Sequence, residues 1–358
     1  MSMKRFLFSV AWLTAALAVS AQESKPTRIS GQLEGVGDSL LYNLIDMNLD
    51  QPRSKGYYAV KDGRFDFTID VQHPATLALM NLAVFRADDV ANMKAASFTV
   101  IPGEDAVISG SLDDYRVTGS QFYEEAAQVQ QELMSWFKDR TQDNREQLMK
   151  EAAAKAIDYI KAHPAQEAAM LMVQVLDYDQ TVEAVKLFDP SISEGRMQYF
   201  YKPRLKMLEA QKAREAARKH IVAGQEAPDF TLPSLDGSPL SLSSLRGKYV
   251  ILDFWGSWCS WCIKGLPDMK AYYQKYAGKF EILGIDCNDT EEKWRAAVEK
   301  HEIPWLHVRQ SNETVKVSDE YGVSGYPTKI IIDPDGKIHK VIVGEDPEFY
   351  TYLDTLFQ

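Results

Sequence analysis

The pattern of apolar and polar positions divides most of the chain into three segments. From Thr27 to Gly119, short runs of alternating apolar and polar residues are separated by turn-forming pairs, which is typical of β-strands. From Gln121 to His220, Glu, Ala, Gln, Lys, Leu and Met dominate, and these residues favour helices. From Val222 to Gln358, apolar strand-like runs alternate with helical stretches. We therefore predict an all-β domain (27–119), a helical segment (121–220) and an α/β domain (222–358).

Alternation within the first segment predicts individual strands and turns. Apolar and polar residues alternate strictly over Arg64–Val71, the period of a half-buried strand. Asp62-Gly63 precedes that strand and predicts a hairpin with Tyr57–Lys61 as its partner. Pro102-Gly103 predicts a second hairpin, between strands at 97–101 and 106–109. Short strands at this spacing indicate an antiparallel sandwich or a small barrel.

The helical segment contains two clear helix predictions. One helix spans Glu151–Ala162 and ends at His163-Pro164, because the residue before a proline disfavours helical geometry. The other spans Leu205–Lys219 and mixes Lys, Arg and Glu. Its charges indicate a solvated face, and the alternative is a docking surface for a partner.

The last segment predicts alternating strands and helices. The predicted strands are Tyr249–Trp255, Phe280–Asp286, Lys329–Ile332 and His339–Val343, and the predicted helices are 260–277, Thr290–His301 and Asp346–Phe357.

The N-terminus has the features of an export signal. Lys4 and Arg5 form a positive region before the mostly apolar run Phe6–Val19. Small residues then allow cleavage before Gln22, so we predict a signal peptide at residues 1–21. The alternative is an uncleaved N-terminal anchor. We expect a soluble mature protein outside the cytoplasm, in the periplasm of a diderm bacterium, where disulfides persist.

Composition narrows the possible functions. The chain has 358 residues, of which 45% are hydrophobic and 25% charged, an ordinary globular composition. The net charge of -11 disfavours nucleic acid as a partner. Three cysteines are too few to hold a chain of this length together by disulfides.

Two of the cysteines form the motif Cys259-Ser260-Trp261-Cys262 between a predicted strand and a predicted helix. The first cysteine then lies at a helix N-terminus, where the helix dipole favours the reactive thiolate. The second is expected to be better buried and to resolve a mixed disulfide. A zinc site lacks a second ligand pair at the usual spacing, since His301 and His307 do not supply one. A structural disulfide would close a very small loop and stabilise little. A redox pair is the favoured interpretation.

The segment Trp255–Cys262 resembles the active-site segment of thioredoxin-fold proteins, specifically the exported TlpA/ResA-like thiol–disulfide oxidoreductases. The lead-in segment 227–233 and the loop 323–328, which resembles the cis-proline loop of that family, strengthen the likeness over residues 222–358. Pro267 resembles the proline that kinks the active-site helix. The preceding β segment more loosely resembles the DUF4369-type extension found ahead of such domains.

The resemblance implies roles for individual residues. Cys259 would be the attacking thiolate and Cys262 the resolving thiol. Pro327 would hold a cis peptide, and the backbone of Tyr326 would pair with an extended substrate segment. Asp253 has the spacing of the buried acid that assists proton transfer to the resolving thiol. The alternative for Asp253 is a strand-end carboxylate bonded to backbone.

Other residues near the motif leave more than one interpretation open. Trp258 and Trp261 would shape the surface around the sulfurs, whereas Trp255 is better explained by packing. Asp289 resembles an acidic position of the family, and the alternative is a helix N-terminal acid. Cys287 is predicted to be a small buried hydrophobe, or else an extra redox partner.

The sequence also departs from the family pattern. Trp261 stands where this branch usually has proline, and Gly265 stands where it often has glutamate. Residues between the cysteines help set the reduction potential, so the potential cannot be carried over.

These observations predict a periplasmic thiol–disulfide oxidoreductase that reduces protein disulfides. It would need no bound cofactor and no metal, and a membrane-embedded thiol reductase would supply its electrons, as the resemblance implies. One alternative is a thiol peroxidase. The other is an envelope-binding module, formed by the β and helical segments, with an accessory redox domain.

Overall fold

The computed structural model describes residues 25–49, 53–86, 93–310 and 316–358. The predicted signal peptide at residues 1–21 lies outside the described residues. Contacts divide the chain into two compact units, one up to Leu205 and the other Lys206–Gln358. The predicted domain limits stay predictions. Across the described ranges, no helix has both the length and the apolar character needed to cross a bilayer.

The first unit begins with eight strands in two four-stranded sheets. The strands are β1 (Lys25–Glu34), β2 (Ser39–Ile45), β3 (Arg53–Ala59), β4 (Arg64–Val71), β5 (Ala75–Asn81), β6 (Ala95–Val100), β7 (Ala106–Ser111) and β8 (Tyr115–Thr118). The orders are β4-β1-β7-β8 and β3-β2-β5-β6. Buried residues of both sheets, such as Ile29 and Leu77, belong to one apolar core. The predicted sandwich is confirmed, although β1 and β7 run parallel.

The strand β4 has the bounds that its alternation predicts, and its side chains alternate between exposed and buried along its length. The predicted turn at Asp62-Gly63 is present, with an antiparallel bridge between Lys61 and Arg64 across it, but neither predicted hairpin continues into paired strands. Instead, β4 pairs with β1 and β3 pairs with β2. Likewise, β6 pairs with β5 and β7 with β1. Each turn carries the chain from one sheet to the other, which a local turn signal cannot distinguish from a hairpin.

Helices complete the first unit. They are α1 (Leu82–Arg86), α2 (Gln121–Trp136), α3 (Arg145–Ala162), a 3₁₀ segment (Glu167–Val175), α4 (Tyr178–Val185), α5 (Pro190–Ser193) and α6 (Gln198–Arg218). Helix α3 starts earlier than predicted and ends where predicted, before His163. Helix α6 starts earlier than predicted and contains both Pro203 and the division between the units.

Arg196 links the helical part of the first unit to the loop between β6 and β7 through ion pairs. The Nε atom of Arg196 donates to Glu167 Oε1 at 2.9 Å, and its Nη1 atom donates to Glu104 in the loop between β6 and β7. The guanidinium also lies over the ring of Phe122 in α2, 6.0 Å from its centroid. All three charged side chains are about one quarter to one third exposed. The ion pairs are therefore partly shielded from water.

The second unit is built on a five-stranded sheet. Its elements are β9 (Thr231–Pro233), β10 (Pro239–Ser241), a 3₁₀ turn (Leu242–Leu245), β11 (Tyr249–Trp255), α7 (Ser260–Lys275), β12 (Phe280–Asp286), α8 (Glu291–Lys300), β13 (Leu306–Arg309), α9 (Val317–Glu320), β14 (Thr328–Ile332), β15 (Ile338–Val343) and α10 (Pro347–Phe357). The sheet order is β13-β12-β11-β14-β15, with β11, β12 and β13 parallel and β14 and β15 antiparallel to their neighbours.

The central strand β11 separates two apolar cores. Val250, Leu252 and Phe254 face one core, which also contains residues of the lead-in segment and α9. Ile251 and Trp255 face the other, together with both motif cysteines and residues of α7, α8 and α10. Because side chains alternate along a strand, Asp253 shares the face covered by α7.

We predict that Arg196→Met lowers the free energy of unfolding of the first unit by about 2 kcal/mol, because it leaves two partly buried carboxylates unpaired. Urea denaturation followed by circular dichroism measures this change. The matched control is Arg28→Met, since Arg28 and Asp66 form a pair that is more than half exposed. The control should change stability much less than Arg196→Met, because water screens an exposed ion pair. Equal effects of the two substitutions would contradict the prediction.

Candidate active site

The turn between β11 and α7 carries both motif cysteines. Helix α7 begins at Ser260, so Cys259 is its N-cap residue. The Cys259 Sγ atom accepts a hydrogen bond from the backbone N–H of Cys262 at 3.1 Å. Free N–H groups and the helix dipole favour negative charge at this position. The predicted location of Cys259 at a helix N-terminus is confirmed.

Cys259 and Cys262 are joined by a disulfide bond. Their exposed fractions are 5% and 7%, so Cys262 is not the better buried of the two. That expectation is wrong for this oxidised state, because the bond holds both sulfurs in the apolar cluster that contains Leu266 and Met269.

Hydrogen bonds fix the loop that leads into the motif. The Asp289 carboxylate accepts from the backbone N–H and the hydroxyl of Ser257 at 2.6 and 2.7 Å. The indole N–H of Trp258 donates to the carbonyl of Cys287 at 2.8 Å. The N-cap of α8 is Thr290 rather than Asp289. Asp289 therefore anchors the active-site loop, a contact that neither sequence interpretation anticipated.

Gly256 is required by the path of this loop. A Cβ atom at Gly256 would lie 2.5 Å from Trp258 Nε1 and 2.9 Å from the carbonyl oxygen of Cys287. A larger residue would therefore displace the indole from its hydrogen bond. The position of the Trp258 ring therefore depends on Gly256 having no side chain.

Asp286 at the end of β12 lies behind the loop and is fully buried. Burial, together with the neighbouring carboxylate of Asp289, raises the pKa of Asp286 to about 8. Asp286 is not among the predicted site residues, although an acid at the end of an apolar strand is a usable signal.

Aromatic side chains surround the disulfide. Trp258 is 50% exposed and Trp261 is 58% exposed, whereas Trp255 is buried, which agrees with packing. The ring of Tyr326 meets that of Trp258 edge-on, with the centroids 5.1 Å apart. The peptide between Tyr326 and Pro327 is cis, as expected. Trp258 and Trp261 therefore expose their rings on either side of Cys259 along the chain.

Asp253 is buried beneath α7. Burial raises its pKa to about 6, the charge of Lys329 acts to lower it, and the charge of Glu345 acts to raise it. The Asp253 Oδ1 atom has no hydrogen-bond partner among the described residues. Lys329 and Glu345 are not among the predicted site residues, because the sequence does not show the strand register that places Lys329 beside Asp253.

Cys287 is the free cysteine, and it is fully buried. Burial raises the pKa of its thiol, so the thiol stays protonated at neutral pH. Its Sγ atom donates to the carbonyl of Ile285 at 3.4 Å. These features favour the small buried hydrophobe over the redox partner.

As for metals, the described ranges contain no group of three or more His, Cys, Asp or Glu side chains that could hold an ion.

A mixed sheet covered by helices, with a disulfide at the N-terminus of the helix that follows β11, defines a thioredoxin-like protein. The sequence model of the AhpC/TSA family matches residues 223–341. The chain belongs to the ResA-type thiol–disulfide oxidoreductases, because it covers more than two thirds of ResA proteins to which it is at least 30% identical.

Curated relatives support this placement. Residues of this chain are 35% identical to the thiol-disulfide oxidoreductase ResA of Bacillus anthracis over 131 residues, which is 36% of this chain and 75% of that protein. The ResA of Bacillus subtilis is 32% identical, over 36% of this chain and 72% of that protein.

Solved structures also match the C-terminal region. The thioredoxin domain of a thiol-disulfide oxidoreductase from Bacteroides vulgatus is 33% identical, covers 38% of this chain and 99% of its own, and has a TM-score of 0.36. A putative thiol:disulfide interchange protein DsbE from Chlorobium tepidum is 30% identical, covers 37% and 94%, and has a TM-score of 0.35.

We predict that Asp253→Asn stabilises the protein at neutral and alkaline pH. The pKa of Asp253 is raised to about 6 in the folded protein, so folding favours the protonated carboxyl. The free energy of unfolding is therefore highest below the unfolded pKa and falls as pH rises through 6, whereas the neutral amide of the Asp253→Asn variant would not ionise. The gain from the amide should be close to zero at pH 3, below the unfolded pKa, and reach on the order of 3 kcal/mol at pH 8.

Urea denaturation of the wild type and the variant at several pH values measures this difference. Glu299→Gln, at an exposed position on α8, is the matched carboxyl-to-amide control and should show no such pH dependence. A gain at pH 8 no larger than that of the control would contradict the prediction.

Proposed function

We propose that this protein is exported and reduces disulfide bonds of substrate proteins through Cys259 and Cys262. The main support is the hydrogen bond from the Cys262 N–H to Cys259 Sγ at the start of α7, because it places the sulfur of Cys259 where a thiolate is favoured. The exposed tryptophans beside the disulfide offer a surface for an unfolded or extended substrate segment.

The proposed reaction is a pair of thiol–disulfide exchanges. In the reduced enzyme, the Cys259 thiolate attacks a substrate disulfide, a Cys259–substrate disulfide forms, and the first substrate sulfur leaves and takes a proton. The Cys262 thiolate then attacks Cys259 Sγ, the Cys259–Cys262 disulfide forms, and the second substrate sulfur leaves as a thiol. The substrate disulfide is reduced to two thiols, and the enzyme is oxidised to the state in this structure.

Asp253 is the proposed proton acceptor for Cys262 in the second exchange. Its pKa of about 6 makes it ionised at neutral pH but close enough to the ambient pH to return the proton to the departing sulfur. Pro327 and Tyr326 are the proposed contacts of the substrate backbone, and Trp258 and Trp261 are the proposed contacts of its side chains.

The proposed compartment and electron source follow from the sequence. Residues 1–21 are the proposed signal peptide, and the periplasm is the proposed location. Since an oxidising compartment would keep the pair oxidised, a membrane-embedded thiol reductase is the proposed donor of the two electrons for each cycle. The likeness of the all-β domain (27–119) to DUF4369-type extensions stays a prediction. The same holds for any role of that domain or of the helical segment (121–220) in binding a partner.

We predict that Cys259→Ser loses all reduction of insulin by dithiothreitol above the uncatalysed rate, because the attacking sulfur is gone. Cys262→Ser should instead accumulate a mixed disulfide with an insulin chain, visible by mass spectrometry. Cys287→Ser is the matched control and should keep the wild-type rate, since Cys287 is buried and free.

Equal rates for the wild type and Cys259→Ser would contradict the proposed function. Peroxide consumption well above that of the Cys259→Ser/Cys262→Ser variant, without insulin reduction, would favour a thiol peroxidase instead.

A further inference from the structure

A buried lysine lies beside Asp253 on the neighbouring strand of the sheet. Lys329 in β14 pairs directly with Asp253 in the antiparallel register of β11 and β14, so both side chains lie on the same face. The lysine side chain is only 2% exposed. A buried ammonium is expensive unless it is paired, so its partners indicate why it is there.

Glu345 in the loop between β15 and α10 is the partner of that lysine. The distance from Lys329 Nζ to Glu345 Oε2 is 2.7 Å, and the glutamate side chain is 15% exposed. The other oxygen of Glu345 accepts from the hydroxyl of Tyr350 at 2.8 Å. Both carboxylate oxygens of Glu345 are therefore engaged, whereas Asp253 Oδ1 has no hydrogen-bond partner among the described residues.

The glutamate lies against the active-site helix one turn beyond Cys262. A Cβ atom at Gly265 would lie 2.4 Å from the carboxyl carbon and from one oxygen of Glu345. Gly265 is three residues after Cys262 in α7, and residues at this spacing are neighbours on a helix surface. A glycine inside a helix destabilises the helix relative to alanine. Here it makes room for the carboxylate of Glu345.

We propose that Lys329 and Glu345 are positioning residues of the redox site: the ion pair places a buried ammonium on the strand beside Asp253 and a carboxylate against that ammonium, and so controls how readily Asp253 accepts and returns the proton of Cys262. This inference rests on the proposed function of Asp253. The proton moves from the Cys262 thiol to the Asp253 carboxylate and then to the sulfur that leaves the mixed disulfide, with no change in the charge of Lys329 or Glu345.

The charges around Asp253 support opposite effects for the two members of the pair. Lys329 acts to lower the pKa of Asp253 and Glu345 acts to raise it, in addition to the effect of burial. Tyr350 from α10 and Cys287 after β12 also interact with Asp253, and burial keeps both of them neutral at physiological pH. On α7, Asp268 interacts with Tyr350.

We predict that Glu345→Gln lowers the pKa of Asp253 by about one unit, because Lys329 then has no competing carboxylate. Lys329→Met should raise it by a similar amount or more. In Lys329→Met/Glu345→Gln, which replaces the ion pair by neutral side chains, the pKa should lie above that of Glu345→Gln. If Lys329→Met does not fold, the last comparison isolates the charge of Lys329.

Two readouts on the purified full-length protein measure these shifts. The first is a ¹³C NMR titration of the Asp253 carboxyl carbon in the oxidised protein. The second is the pH dependence of the first-order step in which Cys262 resolves the mixed disulfide formed with oxidised glutathione. The midpoint of its acidic limb should move down for Glu345→Gln and up for Lys329→Met.

A second ion pair, between β15 and α10, provides a matched control. Lys340 in β15 and Glu348 in α10 are 2.6 Å apart, but Glu348 is 68% exposed. Lys340→Met and Glu348→Gln should leave both midpoints of the wild type unchanged.

The inference would be overturned if Glu345→Gln and Lys329→Met shift the pKa of Asp253 in the same direction, or if neither shifts it. A pair with a purely structural role would not shift this pKa in opposite directions. Absence of insulin reduction by the wild type would contradict the proposed function alone, since the NMR titration does not require activity. Opposite shifts in the NMR titration with an unmoved kinetic midpoint would overturn the link between the pair and Cys262.

Discussion

The site depends on one contact, the hydrogen bond from the backbone N–H of Cys262 to the sulfur of Cys259. This contact exists only because β11 ends and α7 begins within four intervening residues, which makes Cys259 the N-cap. The loop reaches that geometry through the two bonds from Ser257 to Asp289 and the folding of Trp258 over Gly256. The local backbone therefore determines the electrostatic environment of the sulfur.

The five-stranded sheet that supports the β11–α7 turn also buries two carboxyl groups, which an apolar core normally excludes. Asp253 and Asp286 lie on adjacent strands, and burial raises the pKa of each of them. Raised carboxyl pKa values reduce stability at neutral pH, because the folded protein must ionise groups that water would solvate better. A proton acceptor near neutral pH is useful for thiol chemistry, so the loss of stability has a functional explanation at Asp253.

The sequence predicted this region well where the signal is local. The bounds of β11 and β12 agree with the apolar runs, and Cys259 lies at the helix start that the motif indicated. The two hairpins failed because turn residues specify a change of direction but not which sheet receives the next strand. The four-residue strand β13 and the 3₁₀ segment 167–175 are too short or too uniformly apolar to show a period. The Lys329–Glu345 pair was missed because its relation to Asp253 follows from strand pairing and from the space above Gly265.

The central claim is that the start of α7 makes Cys259 the reactive thiolate. The most direct test is the rate at which iodoacetamide alkylates Cys259 in the reduced protein as a function of pH, with peptide mass spectrometry to separate it from Cys262 and Cys287. We expect the rate to reach half its maximum on the order of one pH unit or more below 8.5, the ordinary pKa of a free cysteine. A midpoint at or above about pH 8.5 would contradict it.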